Sequence, residues 1–123
     1  MPPEEQDPAF LWDMRQAAEE IAELILQTDE SRFPEEKLVR FAVERLVLIL
    51  GESADRVTDT YRGEHPEIPW RDLQRLRNLV AHNYGMKMAP ELYRQCRQKL
   101  VPVSITLGGL VPKPPPGEET RKL

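Results

Sequence analysis

The run LVRFAVERLVLILGESADRV, residues 38–57, decides the fold class of this chain. Its apolar side chains recur at three- and four-residue intervals on two adjacent faces. Leu38, Ala42, Leu46, Ile49 and Val57 make one face, and Val39, Val43, Val47, Leu50 and Ala54 make the other. That period belongs to a helix, and a helix apolar over so much of its girth touches neighbours on two sides. Gly51 sits inside the run, where glycine costs roughly 0.5–1 kcal/mol relative to alanine, so close packing is expected at that position. Upstream, Ser31 followed by Pro34-Glu35-Glu36 reads as the start of this helix, with proline and acids in its first turn. The pattern carries it to about Tyr61.

Working outward, Phe10, Met14, Ala17, Ala18, Ile21, Leu24 and Ile25 give a first helix over Phe10 to Thr28 with a single buried stripe. The segment from Arg62 to Trp70 holds one glycine and two prolines and reads as a structured connection. Pro69-Trp70 and Asp72 then open a third helix to about Asn83, burying Leu73, Leu76 and Val80 and closed by Gly85 as a C-cap. Pro90 opens a fourth, from Glu91 to about Leu100, with Leu92, Cys96 and Leu100 inward. The remainder, VPVSITLGGLVPKPPPGEETRKL, is rich in proline and glycine. It reads as an irregular tail with one extended stretch at Val103 to Leu107. The expected architecture is an all-α bundle of four to five helices over residues 1–101, followed by a tail over 102–123.

Composition bounds the chemistry. A chain of 123 residues is enough for one core. Apolar residues make up 40% and charged residues 31%, and no apolar run approaches the ~18–20 residues needed to span a bilayer. The start, MPPEEQDPAF, lacks the basic and apolar regions of a secretory signal, so a cytoplasmic location is expected. One cysteine and two histidines are too few for a disulfide or a protein-only zinc cage, and no metal or cofactor is expected.

The formal net charge of −4 is unevenly spread. Residues 1–36 carry two basic and eleven acidic side chains, residues 37–99 twelve and eight, and residues 100–123 three and two, giving −9, +4 and +1. The middle of the chain is therefore basic. Charge alone fits both a local nucleic-acid surface and solvated helix faces of mixed sign.

Within that basic middle lies RNLVAHNYG, Arg77 to Gly85, at the end of the third helix. At about 100° per residue, Arg71, Arg75, Asn78 and His82 share a polar stripe, and Asn78 and His82 are neighbours. Arg77 and His82 lie about 140° apart, too far round to meet one small group without a second subunit or loosening of the helix end. Taken as residues alone, this is the polar last turn of a helix at least as readily as a site. The residue types also suit RNA cleavage. Histidine transfers protons near neutral pH, arginine holds a phosphate and its developing charge, and RNA supplies its own 2′-hydroxyl nucleophile.

The spacing of Arg77, four residues, His82, one residue and Tyr84 resembles the signature of the HEPN superfamily, specifically its HepT-like toxins. Leu50-Gly51-Glu52-Ser53-Ala54 and His65-Pro66-Glu67-Ile68-Pro69-Trp70-Arg71-Asp72 resemble that family in the same order, and the resemblance covers roughly residues 10–101. It implies a HEPN-type antiparallel helical bundle that dimerises and acts as a metal-independent ribonuclease toxin on transfer or messenger RNA. It implies Arg77 and His82 as the catalytic pair, Asn78 in support, and Tyr84 as the hydroxyl to which a minimal nucleotidyltransferase antitoxin of the MntA kind attaches AMP, as in type VII toxin–antitoxin pairs. The doubly apolar long helix and the poor convergence of Arg77 with His82 independently favour a homodimer built on the long helix and helix three. Glu44, Glu52 and Asp55 are within reach of the site, with surface or ion-pairing roles preferred for them, and His65, ahead of a proline, is expected to be structural. Two other classes stay open: a non-catalytic module that binds a nucleotide or nucleic acid and partners a nucleotidyltransferase, and a helical scaffold.

Overall fold

The computed structural model describes residues 2–82 and 86–113. The described residues form helices and no strand, in agreement with the all-α expectation. Helix α1 spans Pro3–Leu26 and α2 spans Lys37–Arg56, with a 3-10 turn at Phe33–Glu35 between them. A short α3 (Asp59–Glu64) leads into α4 (Trp70–His82). The last helical stretch comprises α5 (Ala89–Gln95), a π-helical turn at Cys96–Leu100 and α6 (Val101–Leu110).

Helix α1 begins seven residues before the expected Phe10. Asp7, almost wholly buried, accepts hydrogen bonds from the Thr58 backbone N–H at 3.0 Å and the Thr58 hydroxyl at 2.7 Å. That contact anchors a proline-rich stretch whose own sequence shows no helical stripe. Thr58 also explains why α2 stops short of Tyr61. Val57 turns extended and buries its side chain, and the Thr58 hydroxyl accepts from the Tyr61 N–H at 3.3 Å, capping α3 as a separate helix.

Residues 101–110 are helical rather than irregular or extended. The stripe Leu92, Cys96, Leu100 continues through Val103, Leu107 and Val111, all buried, so one apolar seam runs the length of α5 and α6. Pro102 lacks an N–H and crowds the carbonyl four residues back, and the wider π-helical turn immediately before it absorbs that clash. The Arg15 guanidinium donates to the Val111 carbonyl at 2.6 Å and ties the end of α6 to α1. Residues 114–123 of the expected tail lie outside the described residues.

Packing runs from one helix to the next. Helix α1 lies against α2 and against the α5–α6 stretch, using Met14, Ala17, Ala18, Ile21 and Ile25. Helix α4 packs chiefly on α2 through Leu73, Leu76 and Val80, which places it at the edge of the bundle. Burial pushes the Cys96 thiol up to about 12, so it is an unreactive core group. Among the described residues no helix is long and apolar enough to cross a membrane.

Candidate active site

The site is built on the α2–α4 contact. Helix α4 buries Leu73, Leu76 and Val80 and leaves Arg71, Arg75, Asn78 and His82 exposed, the polar stripe read from the sequence. Arg77 falls between these faces and lies against α2. A Cβ added at Gly51 would come within 2.5 Å of the Arg77 Cβ, 3.0 Å of its Cγ and 3.1 Å of its Cδ. The space that a side chain would fill at Gly51 is therefore taken by the stem of Arg77. This is the close packing that an interior glycine foretold.

One turn further along α2, Asp55 pairs with the Arg77 guanidinium through Oδ2. The guanidinium also donates to Asn78 Oδ1 at 3.3 Å. Arg77 is three-quarters buried, with 24% of its side chain exposed, and it is fixed at its stem by Gly51 and at its head by two acceptors. Part of its five-donor fork is left over. Of the three acids within sequence reach, Asp55 alone meets Arg77. Glu44 faces Arg40 on its own helix at 3.9 Å, and Glu52 is exposed. The ion-pairing role expected of Asp55 holds, and its partner is Arg77, which its position in the sequence does not name. The i, i+4 spacing of Gly51 and Asp55 on one face of α2 was the available signal.

His82 is the last residue of α4 and is exposed. It is exposed where Arg77 is largely buried, and no hydrogen bond or ion pair joins the two among the described residues. Asn78, one turn before His82 and bonded to Arg77, lies between them along the helix. Tyr84, with Asn83 and the expected Gly85 cap, lies outside the described residues.

The connection before α4 sets where that helix starts. Ile68 enters the core, and the Trp70 indole N–H donates to the His65 carbonyl at 3.0 Å. His65 stacks on Tyr61 at 4.0 Å, Trp70 meets Tyr61 edge-on at 6.3 Å, and His65 Nδ1 lies 3.2 Å from Glu67. Burial, with the charges of Glu67 and Asp7, raises the Tyr61 phenol. The Glu67 N–H and the His65 ring lower the Glu67 carboxyl. His65 thus belongs to a turn that fixes the entry of α4, as expected of it.

A largely buried arginine held by a carboxylate and an amide, beside an exposed histidine on the same helix, suits phosphate chemistry. The family model described as HepT-like, ribonuclease HepT-like, matches residues 14–106. This chain belongs to the HepT-like ribonuclease family. It is 33% identical over 76 residues to the Methanocaldococcus jannaschii protein named "Putative RNase MJ1380", covering 62% of this chain and 70% of that protein. It is 35% identical over 75 residues to the Thermococcus cleftensis protein named "Probable ribonuclease HepT", covering 61% of this chain and 68% of that one. No solved structure matches the chain. The match extends to residue 106, into α6.

Proposed function

We propose that this HepT-like chain is the ribonuclease toxin of a cytoplasmic toxin–antitoxin pair, cleaving transfer or messenger RNA without a metal. The observation that carries the reading is the seating of Arg77 over Gly51, between Asp55 and Asn78. A guanidinium already oriented and partly withdrawn from water loses little freedom when a phosphate arrives, and it stabilises charge developing on the phosphorane more strongly than a solvated one.

In this mechanism His82 takes the proton from the RNA 2′-hydroxyl, whose oxygen attacks the adjacent phosphorus. The P–O5′ bond breaks, and the departing oxygen takes a proton from a protonated imidazole. The products are a 2′,3′-cyclic phosphate and a free 5′-hydroxyl. His82 stands about 140° round α4 from Arg77, so a homodimer through α2 and α4 completes the site, with His82 of the partner subunit facing Arg77 across the axis. Restraint comes from an MntA-like minimal nucleotidyltransferase, which transfers AMP from ATP to the Tyr84 phenol and releases pyrophosphate. Two residues beyond His82, the added phosphate competes for Arg77 where an RNA phosphate must bind.

The test is cleavage of total RNA by purified protein, alongside Arg77→Ala and His82→Ala variants whose fold is checked by circular dichroism. Loss of at least about a hundredfold in both variants is expected. Full activity in folded His82→Ala removes the mechanism. The alternative, a non-catalytic nucleic-acid-binding partner of the nucleotidyltransferase, draws on the pairing of Arg77 with Asp55 in the free chain. It requires RNA binding without cleavage in the unmodified protein.

A further inference from the structure

A cleft of about 230 Å³ opens beside the Arg77–Asp55 pair. Its walls are Ala54 and Asp55 from α2, Arg62 from α3, and Trp70, Arg71 and Gln74 from α4. Asp55 belongs to both features, so the cleft is continuous with the seat of Arg77. Its charges are unequally committed. Asp55 is paired with Arg77 and Arg62 with Asp59, whereas Arg71 is exposed and makes no ion pair among the described residues. Gln74, one turn further along α4, is also exposed. The Trp70 wall is rigid, because its indole N–H is spent on the His65 carbonyl and its ring is held edge-on by Tyr61.

An open cleft with one uncommitted guanidinium, an amide and a fixed aromatic wall suits a solvated anion joined to a flat or sugar-like group. From Arg71 to Arg77 is about 9 Å of helix rise. We propose, on the basis of the ribonuclease reading above, that this cleft is the subsite for an RNA phosphate adjoining the cleaved one. Arg71 is its principal ligand and Gln74 its second donor. Arginine suits the role because its planar fork meets two phosphate oxygens at once. Arg71 is thus a positioning residue, acting on how tightly and in what register the strand lies rather than on bond cleavage.

The experiment uses the full chain with His82→Ala as a non-cleaving background. Binding of a fluorescein-labelled single-stranded RNA of mixed sequence is followed by anisotropy across a salt series. Arg71→Ala is compared with Arg97→Ala, an exposed arginine of the π-helical turn that removes the same charge elsewhere. Arg71→Ala is expected to weaken binding several-fold and to lower the slope of log Kd against log salt by about 0.7, the share of one single-strand phosphate contact. Arg97→Ala should change neither, and Arg71→Lys should recover the slope while leaving part of the affinity loss. In the cleaving background, Arg71→Ala should raise KM on an oligonucleotide, preserve kcat, and leave cleavage of a dinucleotide unchanged. Equal slopes for Arg71→Ala and Arg97→Ala overturn the subsite, whatever the cleavage result. A protein that binds RNA with the Arg71-dependent slope but cleaves none overturns the ribonuclease mechanism and keeps the subsite as a nucleic-acid contact.

Discussion

Gly51 and Arg77 occupy one another's space: a Cβ on the glycine would lie 2.5 Å from the Cβ of the arginine. The atom it would strike is the root of the side chain, which cannot swing aside as a flexible end could. Helix α4 can lie on α2 at this distance only because position 51 carries no side chain. Gly51→Ala gains roughly 0.5–1 kcal/mol of helix propensity and loses more to overpacking, about 1–3 kcal/mol. The expected outcome is a modest fall in thermal midpoint with a much larger fall in RNA cleavage, because Arg77 is displaced. An alanine variant with unchanged activity would show that the seat is not needed.

Asp55 separates orientation from charge. Asp55→Ala frees the Arg77 head and is expected to lower kcat about ten- to a hundredfold through misplacement. KM should not rise, since the variant removes a carboxylate that competes for the guanidinium. Asp55→Asn keeps an acceptor and should retain most of the turnover. Steady-state kinetics of the two variants on one RNA substrate checks this. Equal kcat losses in both would assign Asp55 a role that depends on its charge.

What could be read along the chain was whatever repeats within one helix. The Val43, Val47, Leu50, Ala54 stripe of α2 and the Leu73, Leu76, Val80 stripe of α4 are buried as their spacing implies. The polar stripe of α4, from Arg71 down to His82, is exposed as its spacing implies. What escaped depends on partners distant in sequence. The first turns of α1 rest on Asp7 meeting Thr58, fifty-one residues away, and no local pattern announces that. The Asp55–Arg77 pair spans twenty-two residues, and its only trace was a costly glycine one turn before the acid. Helix α6 was hidden by its own composition. Pro102, Gly108 and Gly109 signal irregularity, and Ile105 is apolar yet exposed, which blurs the period of the buried seam.

That seam can be tested directly. Leu107 is fully buried in α6, which packs on α1. Leu107→Ala should cost about 2–5 kcal/mol, the range for a large-to-small change in a packed core. Denaturant unfolding at constant slope measures it. Ile105→Ala, at 74% exposure on the same helix, should fall within about 0.5 kcal/mol of the parent. Equal, small effects at both positions would mean that α6 is detached in solution.

The proposed dimer rests on the outer side of α2, where the sequence had offered a second apolar face. Leu38 is 81% exposed and Phe41 47% exposed, while Ala42, Leu46 and Ile49 are half-buried. Leu46 and Ile49 also pack against the chain's own core, whereas Leu38 and Phe41 leave much of their apolar surface open. A neighbour covering them would remove apolar surface worth roughly 25 cal/mol per Å². A twofold pairing through this side of α2, extended along α4, would bring each exposed His82 toward the Arg77 of the other chain. Leu38→Asp combined with Phe41→Asp is therefore expected to yield a folded monomer by light scattering, with helical content unchanged, and to abolish RNA cleavage although Arg77, Asn78 and His82 are intact. Mixing active-site variants gives the complementary readout. Arg77→Ala and His82→Ala chains, each inactive alone, should regain up to about one active site in each mixed dimer if the pair acts across the axis. A wild-type protein that is monomeric at micromolar concentration yet cleaves RNA would place both functions within one chain and end the case for a shared site.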